Sequence, residues 1–129
     1  ISHTRRICQA VKPVRSDFSV LSGFDEYYMV NRIAGGDGVL CGLTNVVPEL
    51  FVQMHRAYES GDCTAAHDCA KKIASLMRIY EVTPLFITGM KAAVRDAGLP
   101  ISTYTRAPGG SLTKEEDQRI RTILSECGA

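Results

Sequence analysis

The first half of this chain is predicted to be α/β with a parallel sheet, and three observations carry the prediction. Two short apolar runs, Phe18 to Leu21 and Gly38 to Gly42, have the β-prone composition of buried strands. Segments with helical spacing precede, separate and follow them, giving the order helix, strand, helix, strand, helix of βαβ units. From about residue 61 onward the pattern is helical alone. Parallel strands are covered on both faces and need neighbours, so two of them call for more strands than the chain contains.

Residues 2–12 place Ile7, Ala10 and Val11 at helical spacing, and Pro13 stops the pattern because it lacks a backbone donor. The first strand run ends at Ser22-Gly23, where the backbone must turn. Asp25 is placed to cap a helix through Met29, Val30 and Ile33, which ends at Gly35-Gly36. After the second strand comes Asn45, then Pro48 at a helix start, with Leu50, Phe51, Met54 and Tyr58 on one face. Gly61-Asp62 separates this helix from one over about 63–79. Thr83-Pro84 is expected to start another over 84–98, ended by Gly98-Leu99-Pro100. Residues 100–112 are a Pro/Gly-rich connection, and Thr113 with Glu116 forms a capping-box signature for a last helix over 113–126.

Composition excludes more than it assigns. With 45% hydrophobic and 22% charged residues in 129, the chain suits a folded globular domain rather than disorder. A net charge of +1 marks no nucleic-acid or membrane-surface binder, and Arg5-Arg6 is too short a basic run to change that. No apolar run approaches the roughly 20 residues of a membrane span, and residues 1–6 lack a signal peptide's apolar stretch, so a cytoplasmic setting is expected. Five cysteines, Cys8, Cys41, Cys63, Cys69 and Cys127, without a C-x-x-C pair fit reduced thiols. The start at Ile1 is read as a truncation.

The ordered set of motifs is more telling than any one of them. It runs Leu21-Ser22-Gly23-Phe24-Asp25-Glu26, then Gly35-Gly36-Asp37-Gly38-Val39, then Asn45-Val46-Val47-Pro48-Glu49-Leu50. Gly61-Asp62, the Thr83-Pro84 helix start, Gly98-Leu99-Pro100 and Leu112-Thr113-Lys114-Glu115-Glu116 complete it. This order resembles the C-terminal part of the pyruvate-dependent class I lyases, the family of dihydrodipicolinate synthase, N-acetylneuraminate lyase and the 2-keto-3-deoxy sugar acid aldolases. The resemblance implies a (β/α)₈ TIM barrel with three additional helices. Residues 1–60 would supply the sixth barrel helix and strands seven and eight with their helices, and residues 61–129 the C-terminal helical extension.

In such barrels the chemistry sits at the C-terminal ends of the strands. The resemblance therefore implies substrate contacts at Gly23, Asp25 and Glu26 on one strand end and at Leu40 and Gly42 on the other. Gly23 and Leu40 would line the pyruvate pocket, and the Asp25-Glu26 carboxylates would accept hydrogen bonds from substrate hydroxyls. Read without the resemblance, Asp25-Glu26 is a helix cap with a first-turn carboxylate, and Gly23, Gly38 and Gly42 are turn and packing glycines. The Schiff-base lysine of the family belongs at the end of strand six, and none of Lys12, Lys71, Lys72, Lys91 and Lys114 matches it. No catalytic residue is therefore assigned, and the chain alone is expected to be inactive.

The activity implied is cleavage of a 2-keto-3-deoxy sugar acid to pyruvate and an aldehyde. Gly23-Phe24-Asp25-Glu26 and Gly98-Leu99-Pro100-Ile101-Ser102-Thr103 resemble that branch; dihydrodipicolinate synthase and a noncatalytic half-barrel association module stand as alternatives. Partners implied are pyruvate or a 2-keto acid, the N-terminal part of the same barrel and further copies in a tetramer; no cofactor is called for. Cys63, His67 and Cys69 suggest zinc at first sight, but 69 points away from the face shared by 63 and 67, and no fourth ligand follows. Tyr27, Tyr28, Met29 and the Phe51/Met54/Tyr58 stripe read as core, with an exposed apolar patch expected where further strands would pack.

Overall fold

A computed structural model describes residues 1–129, which divide into two compact units, Ile1–Cys41 and Gly42–Ala129. In the first unit, helix α1 (Ser2–Val11) leads to strand β1 (Leu21–Ser22), and a 3₁₀ turn (Asp25–Tyr27) runs into helix α2 (Tyr28–Ile33). Strand β2 (Gly38–Val39) then pairs with β1 in parallel, with Leu21 opposite Gly38 and Ser22 opposite Val39. This is one βαβ turn, as the alternation of patterns predicts.

Both strands are shorter than the apolar runs that announce them. Only Leu21–Ser22 and Gly38–Val39 are strand; with one neighbour each, the ladder closes after single bonds from Asp37 N–H to Val20 O and from Leu40 N–H to Ser22 O. Asp25 does not cap its helix. The extended backbone that a cap requires belongs to Phe24 (φ −103°, ψ 129°), which places Asp25 inside the first turn.

The Gly35-Gly36-Asp37-Gly38 run has a separate reason at each position. Gly35 takes φ +91° just beyond α2, where a side chain would be strained. A Cβ on Gly36 would stand 2.3 Å from Asn31 Oδ1. The Asp37 carboxylate accepts both from Lys12 Nζ at 2.7 and 2.8 Å and from the Val20 backbone N–H at 2.7 Å. Gly38 N–H donates to Asn31 Oδ1 at 3.0 Å.

Lys12, and then the Val20 N–H, hold the Asp37 carboxyl below its ordinary range. A carboxyl depressed in the folded state stabilises fully above its unfolded value of about 3.9, and that contribution is lost as pH falls through the lower folded value. The acid limb of the stability profile, followed by thermal melts from about pH 5 to pH 2, is therefore expected to flatten in Asp37→Asn.

The second unit is all helical. A 3₁₀ turn (Leu43–Asn45) precedes α3 (Pro48–Ser60), with Pro48 in its first turn as predicted. Gly61, at φ +77°, and Asp62, whose side chain accepts from Ala65 N–H, turn the chain into α4 (Cys63–Leu76). α4 tightens into a 3₁₀ segment (Met77–Glu81) before α5 (Phe86–Asp96) and α6 (Lys114–Cys127). The expected face of α3 is borne out at Phe51 and Met54. Across the unit Ala66, Ile73, Leu76, Ile79, Ala92, Ala93, Ile120, Ile123 and Leu124 complete a core spaced at helical intervals.

α5 begins two residues later than Thr83-Pro84 suggests. Thr83 instead reaches forward, its Oγ1 donating to Leu85 O (2.8 Å) and accepting from Gly89 N–H (3.2 Å), which satisfies a helix-start donor from outside the helix. The capping box is present as predicted: Thr113 accepts from Glu116 N–H and Glu116 from Thr113 N–H. Thr113→Ala is expected to cost about 1 kcal/mol in urea unfolding. α5 and α6 are also joined through charge. Arg95 binds Asp96 and Asp117, and Arg121 binds the same two carboxylates. No helix in the structure is long and apolar enough to cross a membrane.

Candidate functional site

The first unit brings the ends of β1 and β2 side by side. Leu40 N–H donates to Ser22 O at 2.9 Å, which extends the ladder one step and sets Gly23 and Leu40 at neighbouring positions on the C-terminal edge. A Cβ on Gly23 would meet nothing within 4 Å in this chain, and Gly23 lies outside the left-handed region, so neither packing nor backbone geometry accounts for a glycine there. Leu40 is 74% exposed. The exposed Phe18, Leu21, Phe24 and Ile33 belong to the same unit, as expected of strands that lack further neighbours.

The two adjacent carboxylates differ. Asp25 is 2% exposed and engaged by neighbouring groups, whereas Glu26 stands open to solvent. Phe24 and Tyr27 stack in a tilted pair at 5.3 Å beside them. Ser22 Oγ accepts from Phe24 N–H at 3.3 Å and holds the turn out of β1.

Gly42 lies in the second unit, and its lack of a side chain has a packing cause. A Cβ there would come 2.4 Å from the Tyr80 hydroxyl and 3.0 Å from Met90 Cε. The lysines are placed as the helical pattern predicts. Lys12 is tied to Asp37, Lys91 Nζ donates to Tyr104 O, and Lys71, Lys72 and Lys114 lie on α4 and α6. Cys63, His67 and Cys69 form no metal-holding group of three.

Residues 99 and 101 of the Gly98 to Thr103 segment line an apolar groove of about 320 Å³ with Phe86, Ile87, Met90 and Val94. A cavity of about 570 Å³ lies where the 100–112 connection meets α5 and α6. Of its polar lining, Thr83, Thr113 and Glu116 are spent on helix starts.

Two groups that shape the strand ends are not among the residues singled out by sequence. Asn31 is 2% exposed, donating from Nδ2 to Val20 O (3.2 Å) and accepting at Oδ1 from Gly38 N–H. The Lys12–Asp37 pair holds Val20 N–H from the other side. The signal was an amide in the inward stripe of α2, one turn after buried Tyr28, where an apolar side chain is the norm.

Residues 1–127 match the Dihydrodipicolinate synthetase family. Over 128 residues the chain is 32% identical to the "Probable 2-dehydro-3-deoxy-D-pentonate aldolase YjhH" of Escherichia coli, an alignment covering 99% of this chain and 42% of that protein. The crystal structure of Escherichia coli K12 YagE, a prophage protein of the dihydrodipicolinic acid synthase family in complex with pyruvate, matches with a TM-score of 0.90 at 25% identity. That match covers 98% of this chain and 43% of YagE. Dihydrodipicolinate synthase from Thermotoga maritima matches with a TM-score of 0.84 at 31% identity, over 98% of this chain and 42% of its own. The chain thus spans about 42% of the length of the curated relatives it matches.

Proposed function

Because the chain belongs to the dihydrodipicolinate synthetase family and has the fold of the C-terminal part of its (β/α)₈ barrel with the helical extension, we propose that it forms part of a Schiff-base class I lyase. The substrate is a 2-keto-3-deoxy sugar acid, and the products are pyruvate and an aldehyde. Residues 1–60 complete the barrel, and residues 61–129 form the appended helices. The observation that supports this reading best is the placement of Gly23 beside Leu40 at one parallel strand edge, in a chain 32% identical to a probable 2-dehydro-3-deoxy-D-pentonate aldolase.

In this reaction a lysine from the part of the family fold that this chain does not match attacks the 2-keto carbon, and water leaves to give an iminium. The iminium accepts the electron pair of the C3–C4 bond as the C4 hydroxyl loses its proton, and the aldehyde departs. The remaining enamine is protonated at C3 and hydrolysed to pyruvate. Gly23 leaves room beside the keto acid, and Leu40 closes the apolar side. Glu26, open to solvent, accepts from a substrate hydroxyl, whereas Asp25, called as a second acceptor, is buried in the turn beside it and stands back from that contact.

The test is to mix the intact enzyme containing this chain with pyruvate and borohydride, measure the protein mass, and assay pyruvate release from 2-keto-3-deoxy pentonate and hexonate. A reduced pyruvate adduct with release from either acid is expected. No adduct would overturn the lyase reading; an adduct without cleavage of a sugar acid would point to the synthase reaction instead. The same reading makes the enzyme a cytoplasmic homotetramer, and light scattering on the intact enzyme tests the assembly.

A further inference from the structure

A parallel ladder of two residue pairs does little to choose its own register, and a slip of one residue would turn the slipped strand's side chains to the opposite face. In this chain the choice is made by side chains. Val20, the residue before β1, has both peptide groups held: its N–H donates to the Asp37 carboxylate, and its carbonyl accepts from Asp37 N–H (2.9 Å) and from Asn31 Nδ2. The other end of the Asn31 amide takes the N–H of Gly38, the first residue of β2. One buried amide thus spans the two strands, and Gly36 lets it approach, since a Cβ there would overlap Oδ1. A slip would leave this amide without partners in a dry site, an arrangement that folded proteins avoid.

From this we infer that Asn31, seated on Gly36, is a positioning residue for the keto-acid pocket: by bridging Val20 O and Gly38 N–H it sets the register that brings Gly23 beside Leu40. It touches no substrate and acts only through the strands. The inference rests on the lyase reading given above, since it is the pyruvate pocket that the register serves. Lys12 and Asp37 support the same strand start from the opposite side of Val20.

The test uses the intact enzyme and titrates pyruvate in the borohydride-trapping reaction, which reads the pocket separately from the trapping lysine. Asn31→Leu keeps the size of the side chain and removes both hydrogen bonds. Gly36→Ala retains Asn31 but pushes its amide aside, so it provides a second route if the leucine variant folds poorly. In both, half-saturating pyruvate is expected to rise on the order of tenfold or more, because ångström-scale misplacement of positioning groups is costly, with the trapping rate at saturating pyruvate retained. Since both changes act on one set of bonds, the rise in the double variant should fall short of the product of the two single rises.

Folded variants with lowered melting temperatures but unchanged half-saturation would overturn the positioning role, leaving Asn31 a structural residue. Failure of the unaltered enzyme to trap pyruvate would overturn the lyase reading and the positioning role together. The two failures are therefore separable.

Discussion

Gly23→Val is expected to raise the pyruvate concentration needed for half-maximal trapping in the intact enzyme by about one to two orders of magnitude, while stability changes by no more than about 0.5 kcal/mol. Both halves of the expectation follow from one observation. The added Cβ meets no atom of this chain within 4 Å, and Gly23 is not at a positive φ that would strain a side chain. If the position is a turn glycine without a pocket role, pyruvate titration will not distinguish the variant from the parent. Gly42→Ala makes the contrast, since its Cβ collides with Tyr80 and should be felt first in stability.

The largest loss of stability is expected from the second unit. Ile123→Ala removes a side chain with no solvent exposure from the face of α6 that is buried with the α4 and α5 core. A truncation of this kind costs about 2–5 kcal/mol, through lost burial and the cavity left behind. Domains are stable by only about 5–15 kcal/mol, so the substitution removes a large share of the total. Urea unfolding of the intact enzyme, monitored by circular dichroism, checks it; a change below about 1 kcal/mol would mean that the site collapses around the gap.

Sequence conveyed most where the cause is local. Thr113 and Glu116 satisfy each other within one turn, Pro48 and Gly61 act on their own backbone, and the Phe51/Met54 stripe needs only a period of 3.6. It conveyed least where the cause is distant. The strands are two residues each because pairing depends on neighbours, which no apolar run encodes. Thr83 serves a donor six residues ahead, a span outside any capping pattern.

The site was legible in the same uneven way. The strand edge with Gly23 and Leu40 followed from motif order, whereas the different environments of Asp25 and Glu26 follow from burial. Likewise, Asp37 entered the sequence reading only as one residue of the Gly35 to Val39 motif, and its bond to Lys12 joins residues 25 apart.

The tethering of two lysines also changes how this chain will answer to chemical labelling. The Lys12 side chain, held by the Asp37 carboxylate, is 23% exposed, and the Lys91 ammonium donates to the Tyr104 carbonyl; Lys71 is 64% exposed even in its surface pair with Asp68, and Lys72 and Lys114 project from helices. Reagents that modify amines must reach the nitrogen, and a part-buried side chain held by a partner is reached less readily than one that stands in solvent. Mild reductive methylation should therefore mark Lys71, Lys72 and Lys114 early and Lys12 late. The order of modification, read peptide by peptide, becomes a footprint of the intact first unit, and premature labelling at Lys12 reports that α1 has come away from the strands.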